Sequence, residues 1–204
     1  MMRDAFATIH EIALDQFGYF TTEQAREAGV NPHAVLMMCR RGTIERVAHG
    51  LYRNPLVPAT PLGPYMAASL WPQGVRGVLS HQTALELLGI SDADPSKIHL
   101  ILPTTFRIRR ATPGQYVIHH ADLTPSDVTS VEGIPVTTAA RAIRDCHADH
   151  ISPALLRQAI EDGLENGRLS RRDATDLRQT LFKEEISGGP TPAVSGRSDD
   201  HRNG

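Results

Sequence analysis

The stretch Asn54 to Pro64, NPLVPATPLGP, places four prolines in eleven residues. Each proline removes a backbone N–H and fixes φ, so such a run sustains neither a helix interior nor a central strand. It divides the chain into a front unit over 1–56, a linker over 57–64 and a second unit over 65–186. The remaining segment, 187–204, is rich in Gly, Pro, Ser and charge and has almost no apolar side chains, which predicts a disordered tail.

In the front unit, Ala5, Ile9, Ile12, Ala13 and Phe17 recur at helical spacing and predict an amphipathic helix ending at Gly18. Thr21 stands three residues before Gln24, a capping-box spacing, and opens a short second helix that Gly29 stops. Asn31 as N-cap and Pro32 at the first helical position start a third helix, which Gly42 closes. The segment TIERVAHGLYRNP then reads as a small hairpin turning at His49-Gly50. Helix, helix, tight turn, helix and hairpin is the order of a winged helix-turn-helix.

The second unit mixes element types. Helical patterns cover Tyr65 to Leu70, HQTALELLG after Ser80, a segment capped by Thr137 or Thr138 that runs to about His147, a segment starting at Ser152-Pro153, and a last one capped by Ser170. KIHLILP and QYVIHH have strand length and are expected to pair across a basic turn, and DVTSVEGIPVT predicts a hairpin around Glu132-Gly133. The expected class is α+β: a winged helix-turn-helix domain followed by a mixed α/β domain with a small sheet and C-terminal helices.

Net charge is −2 over the whole chain, so the sum does not announce a nucleic-acid binder. The distribution is more informative. Between Asn31 and Arg53 lie Arg40, Arg41, Arg46 and Arg53 against the single acid Glu45, with His33 and His49 beside them. On the third helix Val35, Met38 and Cys39 share one face, while His33, Met37 and Arg40 or Arg41 share the opposite one. An outward face of this kind suits the major groove, where arginine bonds guanine bidentately. Arg46, His49 and Arg53 on the hairpin are candidates for phosphate contacts, and Tyr52 beside them reads as a packed strand residue. Arg107, Arg109 and Arg110 form a second basic element that is either a solvated loop or a further backbone contact.

Evidence for chemistry is thin. Ser80 lacks the Gly-x-Ser-x-Gly elbow and reads as a helix cap; His81, His119 and His120 have no spaced third partner, so neither a metal nor a cofactor is expected. Asp92, Asp94 and Lys97 approach a nuclease pattern but fall in a proline-containing loop with the wrong spacing, and phosphate-binding glycine loops are absent. Cys39 and Cys146 have neither a zinc nor a disulfide spacing, and no signal peptide or membrane-spanning run is apparent, so the cytoplasm is the expected compartment.

The segment FTTEQAREAGVNPHAVLMMCRRGTIERVAHGLYRNP resembles the front domain of the AbiEi family of antitoxins, in which a helix ends in Arg-Arg-Gly and the wing reads Arg-Val-x-x-Gly-x-Tyr. Here those are Arg40, Arg41, Gly42, Arg46, Val47, Gly50 and Tyr52. Leu79 to Ile90, Pro103, Val117 to His120 and Gly133 to Asp145 are similar to the motifs of the family's second domain. The resemblance implies a non-enzymatic antitoxin that represses its own operon through inverted repeats in double-stranded DNA and counteracts an AbiEii-like nucleotidyltransferase toxin. Two alternatives stand beside it: a DNA-processing enzyme akin to nuclease-linked relatives, and a module that neutralises the toxin by direct binding.

Overall fold

A computed structural model describes residues 5–92, 95–109 and 111–182 of the chain. The tail expected over 187–204, together with Arg110 and Asp94, lies outside these residues. The described chain is α+β, with two sheets.

Helix α1, Ala5–Leu14, leads through a turn at Gly18 into strand β1, Tyr19–Thr21. Helix α2, Thr22–Glu27, opens on the reciprocal box that the spacing predicts: Gln24 N donates to Thr21 Oγ1 at 3.1 Å, and Thr21 N donates to Gln24 Oε1 at 2.9 Å. Two orphan N–H groups are thereby satisfied at once. Helix α3, Pro32–Arg40, begins where Asn31 Oδ1 accepts from His33 N at 2.8 Å.

Strands β2, Glu45–Ala48, and β3, Leu51–Arg53, form the hairpin, and β1 pairs with the other edge of β3, giving the antiparallel order β1-β3-β2. The third strand, β1, has no signature of its own in the sequence. Its three residues are too few to display an alternation; the pairing of Phe20 with Tyr52, whose rings stack 5.6 Å apart, makes it a strand. Those two rings, with Ile9, Ala13, Ala25, Val35 and Ile44, form the smaller core. Each buried aliphatic or phenylalanine side chain contributes roughly 1.5–3 kcal/mol.

Helix α4, Gly63–Leu70, starts earlier than the expected Tyr65, because Pro64 occupies a first-turn position where a missing N–H costs nothing. A five-stranded sheet follows, built from β4 (Val78–Leu79), β5 (Ile98–Leu102), β6 (Tyr116–His120), β7 (Val128–Val131) and β8 (Ile134–Thr137) in the order β6-β5-β4-β8-β7. Helix α5, His81–Leu87, links β4 toward β5, and α6 (Ala139–Ala148), α7 (Pro153–Glu165) and α8 (Arg171–Leu181) complete the unit.

The two strands expected to pair do so, but in parallel. A parallel pair cannot be closed by a tight turn and needs a crossover of a dozen or more residues. The arginine-bearing segment 103–115 is that crossover, and not a short turn. The β7–β8 hairpin does turn at Glu132 and Gly133, whose φ values of +48° and +78° give the mirror-image geometry that suits strand twist.

The larger core gathers Met66, Leu79, Leu85, Leu100, Leu102, Ile134, Ile143, Leu156, Ile160 and Leu177. Leu51 of β3 belongs to this core as well, so the hairpin is packed on the second sheet's side of the molecule. A Cβ on Gly63 would lie 3.3 Å from the Tyr19 ring, an approach that glycine permits.

Candidate nucleic-acid interface

Helix α3 divides its residues as its sequence predicts. Val35 is fully buried, Met38 and Cys39 pack partly against the smaller core, and His33, Arg40 and Arg41 are exposed, with Met37 half-buried beside them. Leu36 also lies on the outer face, 46 % exposed. Reading the sequence for charge passes over it, although i, i+3 spacing from His33 places it there. An apolar side chain in that position suits the methyl group of thymine.

On the wing, Arg46 is exposed and its Nη2 lies 3.0 Å from His49 Nδ1, while its Nε donates to the Ala48 carbonyl at 3.4 Å. Arg53 has a different role. It faces Glu45 across the hairpin, with Nη1 to Oε2 at 3.6 Å, and Nη2 donates to the Val57 carbonyl at 3.0 Å, leaving its side chain only 18 % exposed. A half-buried arginine committed to two partners fastens the wing's base and is poorly placed to meet phosphate. Tyr52 is buried.

The crossover comes close to the wing. Ala48 and His49 share a groove of about 760 Å³ with Trp71, Phe106, Arg107 and Arg109. Arg107 and Arg109 are both exposed, and Arg107 Nη1 donates to the Thr104 carbonyl at 2.6 Å, which holds its side chain along the loop. Gln73 Nε2 donates to the His49 carbonyl at 2.8 Å and ties the wing turn to the second unit. One edge of the molecule therefore carries cations from both units, an arrangement that no local spacing in the sequence could disclose.

The histidines of the second unit are placed differently from one another. His120 is exposed and approaches the Pro103 carbonyl at 3.3 Å. His119 points the opposite way, as strand alternation requires, and meets His81 and a third histidine, His99. The spaced third partner that compact motifs do not reveal is thus supplied by β5. Ser80 stands at the N-cap of α5 as expected, but its hydroxyl makes no capping bond to a backbone N–H and lies 2.9 Å from His81 Nδ1.

Residues 8–55 match the family model described as transcriptional regulator, AbiEi antitoxin. The chain is similar in fold to the RV2827C protein from Mycobacterium tuberculosis, with a TM-score of 0.54 and 18 % identity over 87 % of this chain and 71 % of that one. No curated protein matches the sequence. Among the described residues, no helix is long and apolar enough to cross a membrane.

Proposed function

With residues 8–55 carrying the signature of the AbiEi antitoxin family of transcriptional regulators, we propose that the front unit is a winged helix-turn-helix that reads operator DNA and represses its own toxin–antitoxin operon. The observation that carries this reading is the outer face of α3. His33, Leu36, Met37 and Arg40 form one exposed or half-exposed stripe behind a tight turn, with Arg41 at the helix end and Arg46 on the adjoining wing. Arginine on that stripe supplies bidentate base contacts, and Arg46 supplies phosphate contacts that fix register without reading sequence.

Arg107 and Arg109 extend the same edge and add affinity through the DNA backbone. A pair of inverted half-sites would be bound by two copies of the chain, one per half-site. The counteracted toxin is of the AbiEii-like nucleotidyltransferase kind, an assignment supported by the family resemblance alone.

A gel-shift titration on the DNA upstream of the gene tests the reading. Specific retardation without Mg²⁺, with the DNA left uncut when Mg²⁺ is added, is the expected result. Cleavage would favour the DNA-processing alternative. Retention of the toxin on the full chain, without any shift of upstream DNA, would favour direct neutralisation.

A further inference from the structure

Three histidines converge on one face of the larger sheet. In the parallel β5–β6 pair His99 lies opposite Val117 and Ile101 opposite His119, so the two histidines are diagonal neighbours on the same face. The Ser80 N–H donates to the His99 carbonyl at 3.0 Å, which brings His81, the first residue of α5, over that face. His99 Nδ1 lies 3.1 Å from His119 Nε2, and the His81 ring stacks on His119 with centroids 3.7 Å apart. One nitrogen from each of the three rings lies within 4.8 Å of the other two.

The surroundings favour a cation at this point. Asp149, the C-cap of α6, puts Oδ2 3.6 Å from His81 Nε2. The end of α6 that arrives here is the negative end of its dipole. Ser80 is wholly buried, and its hydroxyl oxygen lies 2.9 Å from His81 Nδ1, placed to accept from the ring N–H; such an outer contact orients a ligating imidazole and leaves the Nε2 lone pair for the ion. His81 holds φ at +53°, in the left-handed region that histidine enters more readily than most side chains, and this turn carries the chain from β4 into α5. Burial lowers all three imidazole pKa values, His81 to about 4, so the rings present unprotonated nitrogens at neutral pH.

We propose that His81, His99 and His119 together bind a divalent transition-metal ion of the zinc class, with Asp149 as the fourth ligand. Neutral imidazole suits zinc, and four-coordinate zinc with Zn–N bonds of 2.0–2.1 Å needs nitrogens roughly 3.3 Å apart. The His99–His119 pair already has nearly that separation. His81 turns out of its stack to complete the set, and Asp149 closes it. Three nitrogens and a carboxylate leave no open position, so the ion is structural: it fastens α5, β5, β6 and the end of α6 to one another. The stack of uncharged rings without an ion is the competing account.

The test uses the full chain, stripped with chelator and titrated with Zn²⁺ and separately with Co²⁺. One ion per chain, visible bands of tetrahedral Co²⁺, and a melting temperature raised by several degrees and returned by chelator are expected. In imidazole NMR of the unsubstituted protein, three of the ten histidines move on Zn²⁺ addition. His99→Gln and His119→Gln abolish these changes, and Asp149→Asn weakens binding at least tenfold. The NMR arm needs no variant, so it decides the matter even if a substitution prevents folding. No saturable binding, or movement of a set of histidines other than His81, His99 and His119, overturns the proposal; an unchanged Asp149→Asn removes Asp149 from the ligand set.

Discussion

Arg46 reaches across the wing turn and sets its Nη2 3.0 Å from Nδ1 of His49, while the His49 carbonyl accepts from Gln73 at 2.8 Å. Wing, turn and second unit are thus joined through one short path of hydrogen bonds. Gly50 makes the path possible: its φ is +70°, and a Cβ there would fall 2.5 Å from the Gln73 amide. Gln73→Ala removes one hydrogen bond, about 1 kcal/mol, and is expected to weaken operator binding roughly fivefold with little change in fold. Gly50→Ala adds left-handed strain of roughly 1–2 kcal/mol and a displaced Gln73, so it lowers the melting temperature further than Gln73→Ala does. Parallel thermal melts and gel shifts check both.

Replacing Arg40 and Arg41 together with Ala is expected to abolish specific operator binding while far-ultraviolet circular dichroism stays native. Both side chains are exposed on α3 or at its end, so the core loses nothing. Retained affinity in the double variant would show that α3 is not the reading element.

Arg107 and Arg109 supply phosphate contacts in this reading, and such contacts carry no sequence code. Arg107→Ala with Arg109→Ala is expected to reduce affinity for operator and for unrelated DNA by similar factors. The slope of log affinity against log salt becomes shallower by roughly 0.9 for each phosphate that the variant no longer neutralises. An unchanged slope, measured between low and physiological salt, would return both residues to the class of solvated loop cations.

The two cysteines are expected to differ in reactivity. Cys146 is fully buried on α6, where burial first, and then Asp145 and Asp149, push its thiol up to about 12. A thiol whose thiolate is that scarce does not react at pH 8. Cys39 on α3 is only half-buried. Iodoacetamide at pH 8 therefore labels Cys39 and spares Cys146 until denaturant opens the larger core, which mass spectrometry of the two peptides reads directly. Labelling of Cys146 in the folded protein would contradict the packing of α6.

The features legible in advance are those whose cause lies within a few residues. Thr21 and Gln24 satisfy each other's backbone across one helical turn, Ser170 caps α8 by accepting from Asp173 N, and Glu132-Gly133 turns a hairpin because both residues hold positive φ. The two faces of α3 follow from helical periodicity in the same way. In each case the decisive atoms are neighbours along the chain, so residue type and spacing suffice.

What the amino-acid order determined by itself was therefore the sequence of helices, the hairpins, the caps and the outward arginines of α3. Tertiary structure alone decided that β5 and β6 run parallel, that Val78 and Leu79 form the middle strand of a five-stranded sheet, and that Arg53 holds the wing's base instead of facing outward. It also decided that His99 joins His81 and His119. The physical reason is common to all four. Strand pairing and side-chain convergence are set by how two apolar cores bury their surface at once, and that balance involves residues far apart in the chain, beyond the reach of any local pattern.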